Sequence, residues 1–333
     1  MDQENALPPN RPLHFYENTK WRLLSYGIWL GLILFVAIIG MVSKASSVSA
    51  LFSGKTLSSM MQIWLITAMV IPPMVMLVVS GHIDLSVGAV AGYVGAATAF
   101  AMSNANMGGW VGILIAIRTG LLIGLLHGIL VGGFRIHSAI VTLGTATLVR
   151  GWSLQLTEQA LFVDNLESLN WLVIPTVILM LIFVVAIVFV SEFTSLGKKK
   201  TSDQPVEEAW LPRILRAAVP HVLVSLAASF AGLLLLARLR ASTPGVGLGL
   251  EVDVLLPVLM AGIPLGGGLV NIIGAIIASL VLQVHDTLSI IAGDPSAQSL
   301  STQGFQVLFF AALGKLYFWA ADKIYQKRAN TKS

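Results

Sequence analysis

Ser80-Gly81-His82-Ile83-Asp84-Leu85-Ser86-Val87-Gly88 is a short polar interruption between two apolar runs, 60–79 and 87–102. It puts an acid and a histidine where the flanking residues suit a lipid bilayer. Ionisable groups at membrane depth are costly, so they are buried in protein, paired, or set beside water. The stretch therefore marks a deliberate break between two apolar helices, and the rest of the chain must explain why that break is tolerated.

Outward from the break, the chain is apolar almost throughout. It has 333 residues, 56% hydrophobic and 11% charged, with a mean hydropathy of +0.84. A soluble domain carries about 25% charged residues. Apolar runs of roughly 20 residues recur, the length of a membrane-crossing helix. The alternation of transmembrane strands is absent. The expected fold is an all-α polytopic membrane protein with about ten transmembrane helices, some broken or re-entrant. The formal charge of +4 is then a topology signal and calls for no nucleic-acid partner. There is no cysteine, which excludes disulfides and thiolate chemistry.

The expected spans are 23–42, 57–79, 85–103, 110–133, 137–156, 169–190, 217–237, 252–265, 269–291 and 303–320. Pro72-Pro73 falls inside the second and should kink or break it. With the N-terminus inside, thirteen basic residues lie in cytosolic connections (1–22, 133–137, 192–216, 322–333) and four in outer ones (44–56, 238–251). That bias predicts both termini in the cytosol, N-in and C-in. Three parts follow: a cytosolic tail at 1–22, without the features of a signal peptide, a transmembrane domain at 23–320, and a basic cytosolic tail at 321–333. The longest polar connection, 191–216, joins Lys198-Lys199-Lys200 to Glu207-Glu208-Ala209-Trp210 and reads as a contact for a cytosolic partner, or as a lysine run at the headgroups. Residues 78–90 and 259–270 are weakly alike, each a span–break–span unit, as in transporters built from repeats.

Asp84 has two compatible readings. It can line or hinge a translocation path, or cap the third span by accepting from Ser86 and Val87 N–H groups. Gly81 and Gly88 allow close approach or unusual dihedrals, and Ser86 lies between them and the helix. His82 titrates near neutrality in principle; as a lone histidine it is otherwise simply hydrogen-bonded. Arg118 and His127 share the fourth span, and a central arginine should face the bundle or a wet cavity. Thr142, Gly144 and Thr145 give the fifth span hydroxyls and small side chains, for helix packing or for a hydroxyl-lined sugar path. No catalytic set emerges: the chain has no GxxxxGK[ST] loop and no HExxH. It is not expected to be an enzyme, and ATP would have to be hydrolysed by another subunit.

Gly81–Gly88, reading GHIDLSVG, resembles the GGIDLSVG signature of ribose-type ABC permeases, the membrane subunits of bacterial importers for ribose, other monosaccharides and autoinducer-2. Arg135-Ile136-His137-Ser138-Ala139-Ile140-Val141-Thr142-Leu143-Gly144-Thr145, with Arg150-Gly151 beyond it, resembles that family's IPSFIVTLGT…RG segment. The 231–239 and 249–253 blocks and the glycines at 266–268 fall in the family's order, so the resemblance covers about residues 60–320. It implies two permease subunits, alike or different, around one path in the bacterial inner membrane. It also implies a periplasmic sugar-binding protein and cytosolic ABC ATPases that hold ATP and Mg, with no cofactor in this chain. Glu207, Glu208, Ala209 and Trp210 then lie in the ATPase-coupling segment, where a lysine-rich stretch replaces the family's aromatic-glycine part. His82 stands where the family has glycine, His137 where it has proline, and Arg118 is unusual at its position. Two other readings stay open: a cation-coupled secondary transporter using Asp84, His82 and Arg118, and a non-transporting membrane scaffold.

Overall fold

The computed structural model describes residues 29–34, 37–38, 48–105, 107–163, 174, 177–178, 181–182, 185, 209–263, 271–294 and 296–330. The first tail, most of the first and sixth spans, Glu207, Glu208, the glycines at 266–268 and the last three residues of the basic tail lie outside the described residues. What is described is almost entirely helical: α1 (Gly54–Val79), α2 (Val87–Asn104), α3 (Trp110–Gly128), α4 (Ser138–Leu156), α5 (Trp210–Leu239), α6 (Leu250–Met260), α7 (Ile272–Ala292) and α8 (Ser296–Asn330). A two-residue ladder pairs β1 (Leu161–Phe162) antiparallel to β2 (Ala241–Ser242). Four of the helices are long and apolar enough to cross a membrane, α3 together with the π-turn that follows it. Large apolar side chains such as Leu114, Leu122, Ile140, Leu143 and Ile273 are more than half exposed, a surface made for lipid or for another membrane protein.

α5 is the hub, packing on α1, α2 and α3 at once. Its tightest partner is α3, and the cause is a glycine on every fourth residue: Gly120, Gly124, Gly128 and Gly132. A β-carbon at Gly120 would sit 2.7 Å from the Leu226 Cα, and one at Gly132 2.7 Å from the Arg213 carbonyl oxygen. One at Gly124 would strike the Val222 Cα, and one at Gly128 would strike Ala218. Small residues at this spacing let helix backbones touch, the source of close packing where the surrounding lipid removes any hydrophobic drive. The pairing carries down to the π-turn Ile129–Gly133, where Arg213 Nε donates to the Gly132 carbonyl at 2.7 Å.

α1 runs unbroken through Pro72-Pro73, both buried, and the interruption comes at Ser80. Packing against α5, α6 and α7 holds the helix where two donors are lost, as protein neighbours do for prolines in membrane helices. Trp64 Nε1 also ties α1 to Ser279 of α7 at 3.0 Å. α5 begins at Trp210, seven residues before the expected seventh span. Pro212 stands in its first turn, where a missing N–H costs nothing. α8 likewise starts before and ends after the expected tenth span, absorbing the polar residues from Ser296 and the basic ones as far as Asn330.

The weak repeat has a structural counterpart. After α1, Gly81 N–H reaches the Val78 carbonyl at 2.9 Å and His82 N–H the Leu77 carbonyl at 3.1 Å, with Gly81 at φ +85°. After α6, Gly262 N–H reaches the Leu259 carbonyl at 2.9 Å and Ile263 N–H the Val258 carbonyl at 3.3 Å, with Gly262 at φ +77°. Both are Schellman helix ends closed by a left-handed glycine. Each donor and acceptor in the first has its counterpart 181 positions later in the second.

Candidate functional site: the break between α1 and α2

Glycine ends α1 at the break, and the chain then crosses to α2 through His82, Ile83, Asp84 and Leu85 without helical bonds of its own. Two backbone donors in this crossing are satisfied by α4. Ile83 N–H donates to Ser138 Oγ and Leu85 N–H to Thr142 Oγ1, both at 3.1 Å. Asp84 takes a third: its Oδ1 accepts from Ser86 N–H at 2.7 Å and from Ser86 Oγ–H at 2.6 Å. This is an Asx-type turn at the entry of α2, which closes on Ser86 rather than reaching Val87. Gly88, at the start of α2, is covered by Gly247 and Glu251; a β-carbon there would meet Gly247 O and Glu251 Oε2.

The other carboxylate oxygen decides the character of the site. Asp84 Oδ2 is buried 3.5 Å from Nδ1 of His127 on α3. The His127 ring lies edge-on to that of His221 on α5, centroids 5.5 Å apart, and the His221 ring is 5.5 Å from that of His82. Asp84 is 2% exposed and His127 and His221 are wholly buried. Three histidines from three elements thus gather at one acid inside the membrane domain. The glycine stripe explains the meeting: His127 lies between Gly124 and Gly128, and His221 beside Val222, so the contact of α3 with α5 brings the two rings together. Among the described residues, no three acidic or histidine side chains are placed to hold a metal ion.

The remaining sequence candidates are distributed otherwise. Thr142 serves the break, whereas Thr145 Oγ1 donates to its own helix at the Val141 carbonyl, 3.0 Å away. Gly144 is exposed with no atom within 4 Å of a β-carbon there. Arg118 is exposed on the outward face of α3. The inward face at that level is taken by Ala116, Thr119 and Gly120, the last pressed on α5 with no room for a longer side chain. Ala209 is extended and Trp210, the first residue of α5, is 65% exposed. A cavity of about 410 Å³ lies among Gln62, Leu65, Leu234, Arg238 and Arg240, at the ends of α1 and α5 remote from the break. Sequence reading passed over His221 and took His127 singly. The usable signal was a histidine in each of two apolar spans, one of them inside a four-residue glycine repeat.

Comparison with known proteins gives the break its context. The chain is 30% identical over 247 residues to the galactofuranose transporter permease protein YtfT of Escherichia coli (strain K12), covering 71% of this chain and 72% of that one. The chain belongs to the sugar ABC transporter permease family. The permease is also 26% identical to the ribose import permease protein RbsC of Escherichia coli (strain K12) over 79% of its own length and 85% of that protein. It is 25% identical to the fructose import permease protein FruG of Bifidobacterium longum (strain NCC 2705), over 85% of its own length and 87% of that protein. No family model matches the permease. No solved structure matches it. Family membership and the apolar helices make this a multi-pass membrane protein of the transport kind.

Proposed function

We propose that this chain is the membrane-spanning subunit of an ATP-driven importer for a monosaccharide or a related small polar solute, in the inner membrane of a bacterium. The observation that carries the reading is its likeness, over most of its length, to permease proteins named for galactofuranose, ribose and fructose. In this reading a second permease subunit completes the path, a periplasmic binding protein supplies the sugar, and a cytosolic ABC ATPase holds ATP and Mg. Both termini lie in the cytosol.

The fold suits such a machine in one respect. The segment proposed to meet the ATPase ends at Trp210, the first residue of α5. From Trp210 to His221 is 11 residues, about 16 Å of continuous helix. A push at the start of α5 is therefore delivered to α3 through the glycine stripe and to the break through His221.

The test is reconstitution in liposomes with the cognate ATPase and binding protein. Sugar uptake should require ATP and all three components. Uptake by the permease alone that follows a proton gradient would overturn the ATP-driven reading in favour of cation coupling. No uptake under any condition would favour a scaffold. Within the working complex, Glu208→Lys should abolish sugar-stimulated ATP hydrolysis while membrane insertion is unchanged; stimulation equal to the unmodified permease would remove Glu208 from the ATPase contact.

A further inference from the structure

We infer that Asp84, His127 and His221 form a proton-binding site that latches the α1–α2 break against α3 and α5. The argument begins with the hydrogen bond between His221 Nδ1 and the Ala217 carbonyl, 2.7 Å long. A carbonyl oxygen only accepts, so Nδ1 carries the hydrogen and Nε2 of neutral His221 is a bare lone pair. That Nε2 is buried and has no hydrogen-bond partner among the described residues. The same holds for Nδ1 and Nε2 of His127 and for Oδ2 of Asp84. Four polar atoms, two of them acceptors only, thus converge without partners.

Neutral His127 carries one N–H and can serve either Asp84 or His221. With one more proton it carries two, one on each ring nitrogen. Nδ1–H then faces the carboxylate at the present 3.5 Å. Nε2–H is left for the lone pair of His221, whose ring is already in edge contact. One added proton thus lets both acceptors be served at once, and it also cancels the charge of Asp84. Removal sends the proton to bulk water and leaves a buried carboxylate facing a neutral ring, so the grip of α3 on the break weakens.

The surroundings single out these groups. The break contributes Asp84 and, one ring beyond His221, His82. α5 contributes His221. α2 carries no acid, base or histidine. α6 brings Glu251, whose buried Oε2 lies against Gly88 beyond the break, beside the single charge of α4, Arg150, which donates to the Val246 carbonyl at 2.7 Å; the single one on α1, Lys55, lies in its first turn, at the other end from the break.

The inference deepens the permease reading, on which its consequence for transport rests; the proton site itself requires neither ATPase nor sugar. The absence of cysteine allows a clean test. Ile83→Cys puts one thiol in the break, and Ser80→Cys puts one at the exposed end of α1 as the reference for thiolate formation. The full chain in native membranes is labelled with a water-soluble thiol reagent between pH 5.5 and 9. The Ile83-to-Ser80 labelling ratio should rise with pH, at most roughly tenfold per pH unit for one proton. In the Asp84→Asn/His127→Asn background, which has no net charge to lose, the ratio should stay flat. A flat ratio in the unmodified background would overturn the latch, as would the same rise in the double variant. A monodisperse size-exclusion peak after detergent extraction shows that the double variant has folded. If it aggregates, Asp84→Asn alone serves, with the same outcomes decisive. Failure of ATP-driven uptake would leave this labelling result untouched.

Discussion

Gly124→Val is expected to remove the folded permease from the membrane. Any β-carbon at Gly124 strikes the Val222 Cα, and valine adds two further carbons. Overpacking costs about 1–3 kcal/mol where side chains can yield. Here the opposing atoms are backbone, so α3 and α5 must part along the whole stripe, and with them the His127–His221 contact. The same substitution at Gly144 meets open space within the chain and should leave the fold intact. Detergent-solubilised protein on a size-exclusion column, followed by its melting temperature, separates the two. A monodisperse, normally melting Gly124→Val protein would show that α3 and α5 do not touch as described.

His127→Leu should be nearly as damaging, for an electrostatic reason. It leaves the Asp84 carboxylate at 2% exposure with its Oδ2 facing hydrocarbon. Stranding one member of a buried charged pair costs about 3–5 kcal/mol. Adding Asp84→Asn should restore most of that loss. Asparagine keeps an oxygen for the Ser86 N–H and carries no charge, so the turn into α2 survives while the stranded anion is gone. Asp84→Leu should lose the turn as well, and His127→Leu should not rescue it. The measurement is again thermal melting, arranged as a double-mutant cycle. Equal damage in His127→Leu and in the Asp84→Asn/His127→Leu pair would mean that the ring is needed for its shape, not for its charge.

Much of the fold was legible in the residues. Apolar runs of membrane length fixed the class, and the glycine after α1 together with Asp84 before α2 located the break. Local chemistry suffices for both: a left-handed helix end wants glycine, and the entry of a helix wants a short acceptor. The beginnings of α5 and α8 were harder, because hydropathy marks where lipid begins, whereas a helix continues through polar residues for as long as its own bonds close. Pro72-Pro73 went the same way: their local cost was plain, but packing against neighbours outweighed it.

The sequence by itself determined that this is a helical membrane protein with a charged interruption near Asp84, since lipid admits only internally bonded backbone and tolerates few charges; its sugar-permease kinship came from motif resemblance alone. Only the tertiary structure decided what that charge faces. His127 lies 43 positions from Asp84 and His221 lies 137 positions away, and no helical period relates them. Their meeting depends on α3 and α5 being pressed backbone to backbone, so that a lone acid and two distant histidines become one buried cluster, with half-buried His82 at its edge.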